Sequence, residues 1–209
     1  MTSNASESQA QINSDIDTNA LTVAAKSGMA TFKLLLDHGV TKCMKSTTNM
    51  AAVYGKLDII QWLHFNKPLL FTTDAMDFAA INGHLEVVEW LHENRTEGCT
   101  KLAMDGAASS GHFEVVKWLH ENRTEGCTVK AMNEACAGGH INIVKWLNQN
   151  RHEGCSPKAM VIAAKRGHLD VVQFLFSIGV RRNIGSAIRH ASGRGYSGIV
   201  NFLKSKCNL

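Results

Sequence analysis

Residues 90–100, WLHENRTEGCT, hold several side chains of the kinds that active sites use. Histidine and glutamate can transfer protons during catalysis, and cysteine can act as a nucleophile. The same eleven letters recur at residues 118–128. The residues of the first copy that are best suited to catalysis are His92, Glu93 and Cys99. Each of them is therefore present twice in one chain.

A third copy of this stretch keeps only part of the set. It has Asn148 and Gln149 in place of the histidine and the glutamate, and it retains Cys155. A catalytic site needs one set of groups arranged around one reacting centre, whereas copying at a fixed spacing is typical of structural residues in repeat proteins. We therefore predict that the stretch belongs to a scaffold, that the chain has no catalytic residues and that it is not an enzyme.

The cysteines do not have the spacing of a metal site. Cys99, Cys127 and Cys155 are 28 residues apart, whereas zinc sites usually take ligands from close pairs such as Cys-X2-Cys. Stacked helices are separated by roughly 8–10 Å, too far for one ladder of thiols to share an ion or a disulfide. Because the N-terminus has no signal segment, we expect all six cysteines to be reduced and the protein to be cytoplasmic, with a nuclear location also open.

Four histidines form a second ladder with the same spacing, at His84, His112, His140 and His168. Each follows a glycine and precedes an apolar helical pattern, so we expect hydrogen bonding at helix starts rather than metal binding. No Gly-X-Gly-X-X-Gly or Gly-X4-Gly-Lys-Ser/Thr stretch occurs, and these are the motifs that cradle phosphates. The sequence therefore predicts no cofactor and no metal.

A repeat of 28 residues organises almost the whole chain. Glycines recur at this spacing from Gly55 to Gly195. A column of bulky apolar residues follows the same spacing, and we expect its four tryptophans to lie in the core. We expect a flexible polar tail at residues 1–16 and a single repeat array at residues 17–209. Its seven units are predicted at about residues 17–44, 45–72, 73–100, 101–128, 129–156, 157–184 and 185–209.

Each unit contains two helical patterns. In HLEVVEWLHEN, an apolar stripe of Leu85, Val88 and Leu91 is flanked by Val87 and Trp90. The preceding shorter pattern, AMDFAA, carries small residues that let neighbouring backbones approach. One helix pair cannot bury its stripe alone, so stacked pairs should share a core and form an all-helical solenoid. The predicted N-caps of the short helices are Thr72, Thr100, Thr128 and Ser156.

These residues resemble the ankyrin repeat, whose short first helix ends in Ala-Ala-X-X-Gly-His and whose second helix carries paired aliphatic residues. The matching stretches are residues 79–84, 107–112 and 163–168. The resemblance covers about nine-tenths of the chain and implies an all-α, ankyrin-type solenoid of about seven helix-turn-helix units. Each repeat is shorter than the usual ~33 residues, so the β-hairpin finger of the family should be clipped or absent.

One motif of the family is replaced in this chain. The Thr-Pro-Leu-His opening of the ankyrin repeat corresponds here to Leu102-Ala103-Met104-Asp105 and its equivalents. In the family that histidine makes bridging hydrogen bonds, and this chain has no histidine at the position. The bridging bonds of the family are therefore not expected in the same form.

The resemblance also implies a function in recognition, because the finger and the first helix of the ankyrin repeat bind other proteins. The residues just before each Gly-His differ between repeats, while the core columns do not. We therefore predict a non-catalytic, monomeric scaffold that binds a partner protein on its concave face. The predicted contact residues are Lys26, Val53, Tyr54, Ile81, Asn82, Ser109, Ser110, Lys165, Arg166 and Arg194.

Charge is distributed unevenly along the chain. Residues 157–209 contain nine lysines and arginines and a single acid, Asp170, whereas the rest has 13 basic and 17 acidic residues. This positive charge predicts an acidic partner near the C-terminal end, and binding of a polyanion (nucleic acid or anionic lipid) is the alternative function. The charge is also explained if a terminal repeat only needs a charged outer face for solubility. No phenylalanine, tyrosine or tryptophan of this segment stands directly beside a basic residue in the sequence, so nucleic acid is not favoured. No apolar run approaches the ~20 residues that span a bilayer, so we expect no membrane segment.

Overall fold

The computed structural model describes residues 20–207, and all regular secondary structure within that range is helical. No strand occurs between residues 20 and 207, and short loops connect the repeats. The predicted all-helical fold without projecting hairpin fingers is therefore confirmed. The predicted polar tail, residues 1–16, lies outside the described residues. No described helix is long and apolar enough to cross a membrane.

The described chain divides after Thr100 into two compact units. The N-terminal unit consists of three helix pairs and one short 3₁₀ turn at Pro68–Leu70. Its helices are α1 (residues 20–27), α2 (Met29–Asp37), α3 (Lys45–Val53), α4 (Leu57–Asn66), α5 (Thr73–Ile81) and α6 (Leu85–Asn94).

The C-terminal unit consists of four helix pairs and ends the described chain. Its first two pairs are α7 (Lys101–Ser110) with α8 (Phe113–Asn122) and α9 (Val129–Gly138) with α10 (Ile141–Asn150). The last two pairs are α11 (Ala159–Arg166) with α12 (Leu169–Ser177) and α13 (Ile184–Ser192) with α14 (Ser197–Cys207).

The first helices of neighbouring pairs pack side by side within each unit, α3 on α5 in one and α7 on α9 and α11 on α13 in the other. Alanines make this close packing possible. Ala79 and Ala80 of α5 and Ala107 and Ala108 of α7 are completely buried. Because alanine loses no side-chain entropy in a helix and leaves room for a second backbone, these positions favour both the helix and its packing.

The second helices supply the aliphatic core, and their tryptophans lie at its edge. Val87, Val88 and Leu91 of α6 are at most 2% exposed. The tryptophans, which the sequence places in the core, are only half-buried. Their contacts are with the preceding repeat: the rings of Trp146 and His120 are nearly perpendicular, with their centroids 4.9 Å apart. Trp90 and Trp146 thus cover the junction with the preceding helix pair instead of lying in the centre of their own pair.

The predicted N-caps differ from one repeat to the next. The Thr128 hydroxyl accepts a hydrogen bond from the backbone of α9 at 3.1 Å. Thr72 occupies the N-cap of α5, but its side chain makes no capping bond. The N-cap of α11 is Lys158 instead of Ser156. The Ser156 hydroxyl nevertheless accepts a hydrogen bond from the backbone nitrogen of Lys158 at 3.3 Å, as Thr128 does at the start of α9.

Candidate functional site

The charged residues of the duplicated stretch form an ion pair inside each connector between repeats. The pairs are Arg95–Glu97, Arg123–Glu125 and Arg151–Glu153. In the last two, an arginine nitrogen and a glutamate oxygen are 2.5 Å apart. The glycine that follows each glutamate has a positive φ, 71° at Gly126, a conformation that favours glycine. The pair therefore fixes a tight turn.

The same arginines also contact the preceding repeat. The Nη1 atom of Arg151 lies 3.5 Å from Nδ1 of His120, and Nη1 of Arg95 lies 3.4 Å from Nδ1 of His64. The His64 ring, in turn, meets the edge of Trp90 at 5.3 Å between centroids. The histidine, arginine and glutamate of the stretch are thus engaged in joining one repeat to the next.

Buried carboxylates replace the missing histidine of the ankyrin opening. Asp105 is 8% exposed, and its two oxygens accept hydrogen bonds from the backbone nitrogen and the hydroxyl of Thr128 at 2.8 and 2.7 Å. Asp77 makes the same two bonds with Thr100. Hydrogen bonds to a charged group are among the stronger ones in proteins, so each carboxylate firmly holds the residue that precedes the next first helix.

The histidines of the ladder stand at helix starts, as predicted, but their side chains do not cap their own helices. The Nε2 atom of His84 lies 2.9 Å from the carbonyl oxygen of Val53, at a distance where the ring N–H donates. His140 and His168 hold the carbonyl oxygens of Ser109 and Ala137 at 3.1 and 3.0 Å. Each histidine occupies the N-cap of its second helix and thereby fixes the end of the first helix one repeat earlier.

None of the six cysteines, all within the described residues, forms a disulfide, and three of them, Cys99, Cys127 and Cys136, are buried. Burial raises the pKa of Cys127 to about 11 and the pKa of Cys136 further still. A thiol stays protonated below its pKa and is then a poor nucleophile and a poor metal ligand. Among residues 20–207, no cluster of three or more histidine, cysteine or acidic side chains could hold a metal ion.

In the N-terminal unit, the predicted contact residues lie at the C-terminal ends of first helices. Val53 and Ile81 end α3 and α5 and are half-buried, and the next residues, Tyr54 and Asn82, are exposed. The Lys26 ammonium lies 5.2 Å from the centre of the Tyr54 ring. The structure therefore brings Lys26 and Tyr54 together, one repeat apart.

In the C-terminal unit, the predicted residues occupy equivalent positions. Ser109, half-buried, and Ser110, exposed, end α7. The exposed residues Lys165 and Arg166 end α11, and the exposed residue Arg194 follows α13. A guanidinium nitrogen of Arg166 donates to the Ala137 carbonyl at 3.2 Å, which anchors this side chain against the end of α9.

Two exposed apolar side chains have no counterpart in the predicted site. Phe65 is 79% exposed and Leu69 is 90% exposed. They occupy the positions that Glu93 and Glu97 hold one repeat later. The sequence signal for these two residues is the connector. Residues 64–70 read HFNKPLL, whereas the equivalent residues 92–98 read HENRTEG, with the same length.

The comparisons with known proteins agree with this geometry. Residues 50–92 and 102–147 match the family model for ankyrin repeats in many copies. The chain is also similar to the crystal structure of the human ASB11 ankyrin repeat domain, with a TM-score of 0.61 and 16% sequence identity over 76% of this chain and 82% of that one. The search of curated proteins found no match.

The predicted resemblance to the ankyrin repeat family is therefore confirmed. The fold of the chain is the all-helical solenoid of that family. Ankyrin repeats generally act as scaffolds for interactions between proteins, and the fold is typically non-catalytic.

Proposed function

We propose that this protein is a non-catalytic, monomeric scaffold that binds a partner protein through the C-terminal ends of its first helices. One observation carries the proposal: at these ends the backbone is fixed while the side chains vary. The carbonyls of Val53, Ser109 and Ala137 are held by histidines of the following repeats. A backbone fixed in this way presents its side chains at little entropic cost on binding.

The N-terminal unit offers an aromatic anchor on this surface. Tyr54 is 38% exposed, and the Lys26 ammonium against its ring restricts the side chain. Ile81, half-buried one repeat later, adds an aliphatic side chain. Partly exposed aromatic residues held in place are the commonest hot spots of protein interfaces, so we place the main contact of this unit at Tyr54.

The C-terminal unit offers a different chemistry at the equivalent positions. Ser109 and Ser110 are small and polar, whereas Lys165, Arg166 and Arg194 carry positive charge. A partner of this unit therefore meets a polar and then a cationic surface. We expect the C-terminal ends of the first helices to lie on the concave face of an ankyrin solenoid. We propose that the partner binds on that face.

We place the protein in the cytoplasm or the nucleus. The support is the state of its thiols: six free cysteines, three of them buried, fit a reducing compartment. In the duplicated stretch, Arg123 pairs with Glu125, His120 contacts Arg151 of the next repeat, and the Cys127 thiol is buried with a raised pKa. This arrangement supports a scaffold rather than an enzyme.

The test is affinity capture with the full-length chain, followed by quantitative binding of the captured partner to variants. Tyr54→Ala and Arg166→Glu should each weaken binding by more than about 1 kcal/mol, roughly fivefold, while the fold is retained. Glu93→Ala and Lys145→Ala are matched controls, because both residues are exposed on second helices. If the control variants abolish binding while Tyr54→Ala and Arg166→Glu bind normally, the second-helix face is the working surface and the proposal is wrong.

A further inference from the structure

The last two repeats carry a surface of unbalanced positive charge. Nine lysines and arginines lie in residues 157–209, and all of them are exposed. The single acid of this segment, Asp170, accepts a hydrogen bond at 2.8 Å from the backbone of Val171 in its own helix. This region therefore has almost no negative charge of its own to oppose the cations.

Four of these cations cluster at the ends of two neighbouring first helices. Lys165 and Arg166 end α11, Arg189 lies in the last turn of α13, and Arg194 follows the C-cap residue of α13. Helix α11 packs against α13, and a Cβ atom on Gly167 would lie 2.8 Å from the ring of Tyr196, so the C-terminal ends of the two helices are neighbours. We call this set the basic cluster.

The basic cluster is not neutralised within the described protein. The connector arginines of the earlier repeats each pair with a glutamate, but no member of the basic cluster forms an ion pair with a described carboxylate. Arg166 donates instead to the carbonyl of Ala137 at 3.2 Å, which fixes its position and leaves its charge uncompensated. Like charges held close together repel one another, and a bound anion would remove that cost.

The surroundings of the cluster suit a polypeptide. Val161 and Ile162 of α11 and Ile188 of α13 are half-buried, so partly exposed aliphatic side chains lie on the same two helices as the cations. The aromatic side chains of this segment, Phe174, Phe176, Tyr196 and Phe202, are all partly buried. The exposed ring near the cluster is that of His190, and one imidazole does not make the row of aromatic platforms on which successive bases of a nucleic acid stack.

We propose that the basic cluster binds an acidic segment of a partner polypeptide whose glutamates or aspartates alternate with aliphatic residues. This inference rests on the proposed function, and it specifies the chemical class of ligand that the C-terminal unit binds. Bidentate pairing of arginine with carboxylate supplies orientation, the half-buried aliphatic residues supply an apolar contact, and the uncompensated field speeds association at low salt.

The experiment is a fluorescence anisotropy titration of the full-length protein. The probe is a fluorescein-labelled peptide of repeated Glu-Glu-Leu triplets, about 12 residues long. The test variant is Arg189→Glu with Arg194→Glu, and the matched control is Lys204→Glu with Lys206→Glu. Both pairs are exposed, both include cations in the last turn of a helix, and both change the net charge equally. Circular dichroism checks that each variant is folded.

We expect the test variant to bind the acidic peptide about tenfold more weakly and the control variant to change affinity by no more than about twofold. Raising the salt from about 0.05 to 0.3 M should weaken binding of the wild-type protein, because the contacts are charged. Three results overturn the proposal: no binding of the peptide, an equal loss in both variants, or tighter binding of a short DNA duplex that shows the same dependence on Arg189 and Arg194.

Failure here is separable from failure of the proposed function. The proposed function is also tested at Tyr54, in the N-terminal unit, with the captured partner. If Tyr54→Ala weakens capture while the acidic peptide does not bind, only the inference about the basic cluster is wrong.

Discussion

Gly111 illustrates how one residue joins two repeats. Its φ is 82°, and a Cβ atom at this position would lie 2.6 Å from Cε1 of His140. That histidine holds the Ser109 carbonyl at the end of α7. The position therefore requires glycine twice, for the left-handed backbone and for the space that the ring occupies.

Comparison of Gly111→Ala with Gly154→Ala should separate the two requirements, which are the left-handed backbone and the space for the His140 ring. Gly154 has a φ of 65°, but no atom lies within 4 Å of its Cβ position. We expect Gly154→Ala to cost about 1 kcal/mol for backbone strain alone. Gly111→Ala should cost about 3 kcal/mol, because the displaced histidine also loses a partly buried hydrogen bond to the Ser109 carbonyl. Urea denaturation measures both, and equal losses would show that the close approach of His140 contributes nothing.

At the scale of elements, the connector between repeats is held by its ion pair. The hydrogen bond from Arg151 lowers the pKa of Glu153 to about 2, well below the ordinary value of 4.5. A depressed pKa in the folded protein means that the ionised carboxylate stabilises the fold. That contribution is fully present above about pH 4.5 and is lost as the pH falls through about 2.

The Glu153→Gln variant should therefore be less stable than the wild-type protein at pH 7, by about 1 kcal/mol for a pair that is partly exposed. The difference between the two proteins should shrink as the pH is lowered from about 4.5 toward 2. Urea midpoints at pH 7, 4 and 3 measure it, with Glu121→Gln as the control at an exposed helical position. A difference that is constant over this range would mean that the charge of Glu153 does not stabilise the connector.

At the scale of the whole molecule, the thiols determine how the fold depends on redox conditions. All six cysteines are free, and Cys136 is completely buried. The fold therefore depends on packing and hydrogen bonds rather than on cross-links. Stability that comes from stacked helix pairs is a sum over units and their interfaces, and no step of it requires oxidation.

Reductant should accordingly leave the unfolding of the protein unchanged. We expect thermal midpoints with and without dithiothreitol to agree within about 2 °C, which corresponds to less than 1 kcal/mol for a chain of this size. Mass spectrometry of alkylated protein should find all six cysteines modified after unfolding without reductant. A large fall in the midpoint on reduction would place the protein in an oxidising compartment instead.

The sequence by itself determined the repeat, the helix pairs and the family. These features depend on local periodicity: alanines and the glycine mark the first helix and its end, and Val87, Val88 and Leu91 mark the buried face of the second. The histidine ladder was also predictable, because His84 and its equivalents stand at fixed distance from the glycine that ends each first helix.

Only the tertiary structure decided which side chains hold successive repeats together and which remain free for binding. Asp105 and Thr128 are 23 residues apart, and Arg151 and His120 are 31 apart. No local pattern joins residues at such distances, and stacking of the repeats brings them together. Exposure is decided in the same way. Phe65 is apolar like the core residues, but the helix pair leaves it in solvent, because only the side chains that point between packed helices lose contact with water.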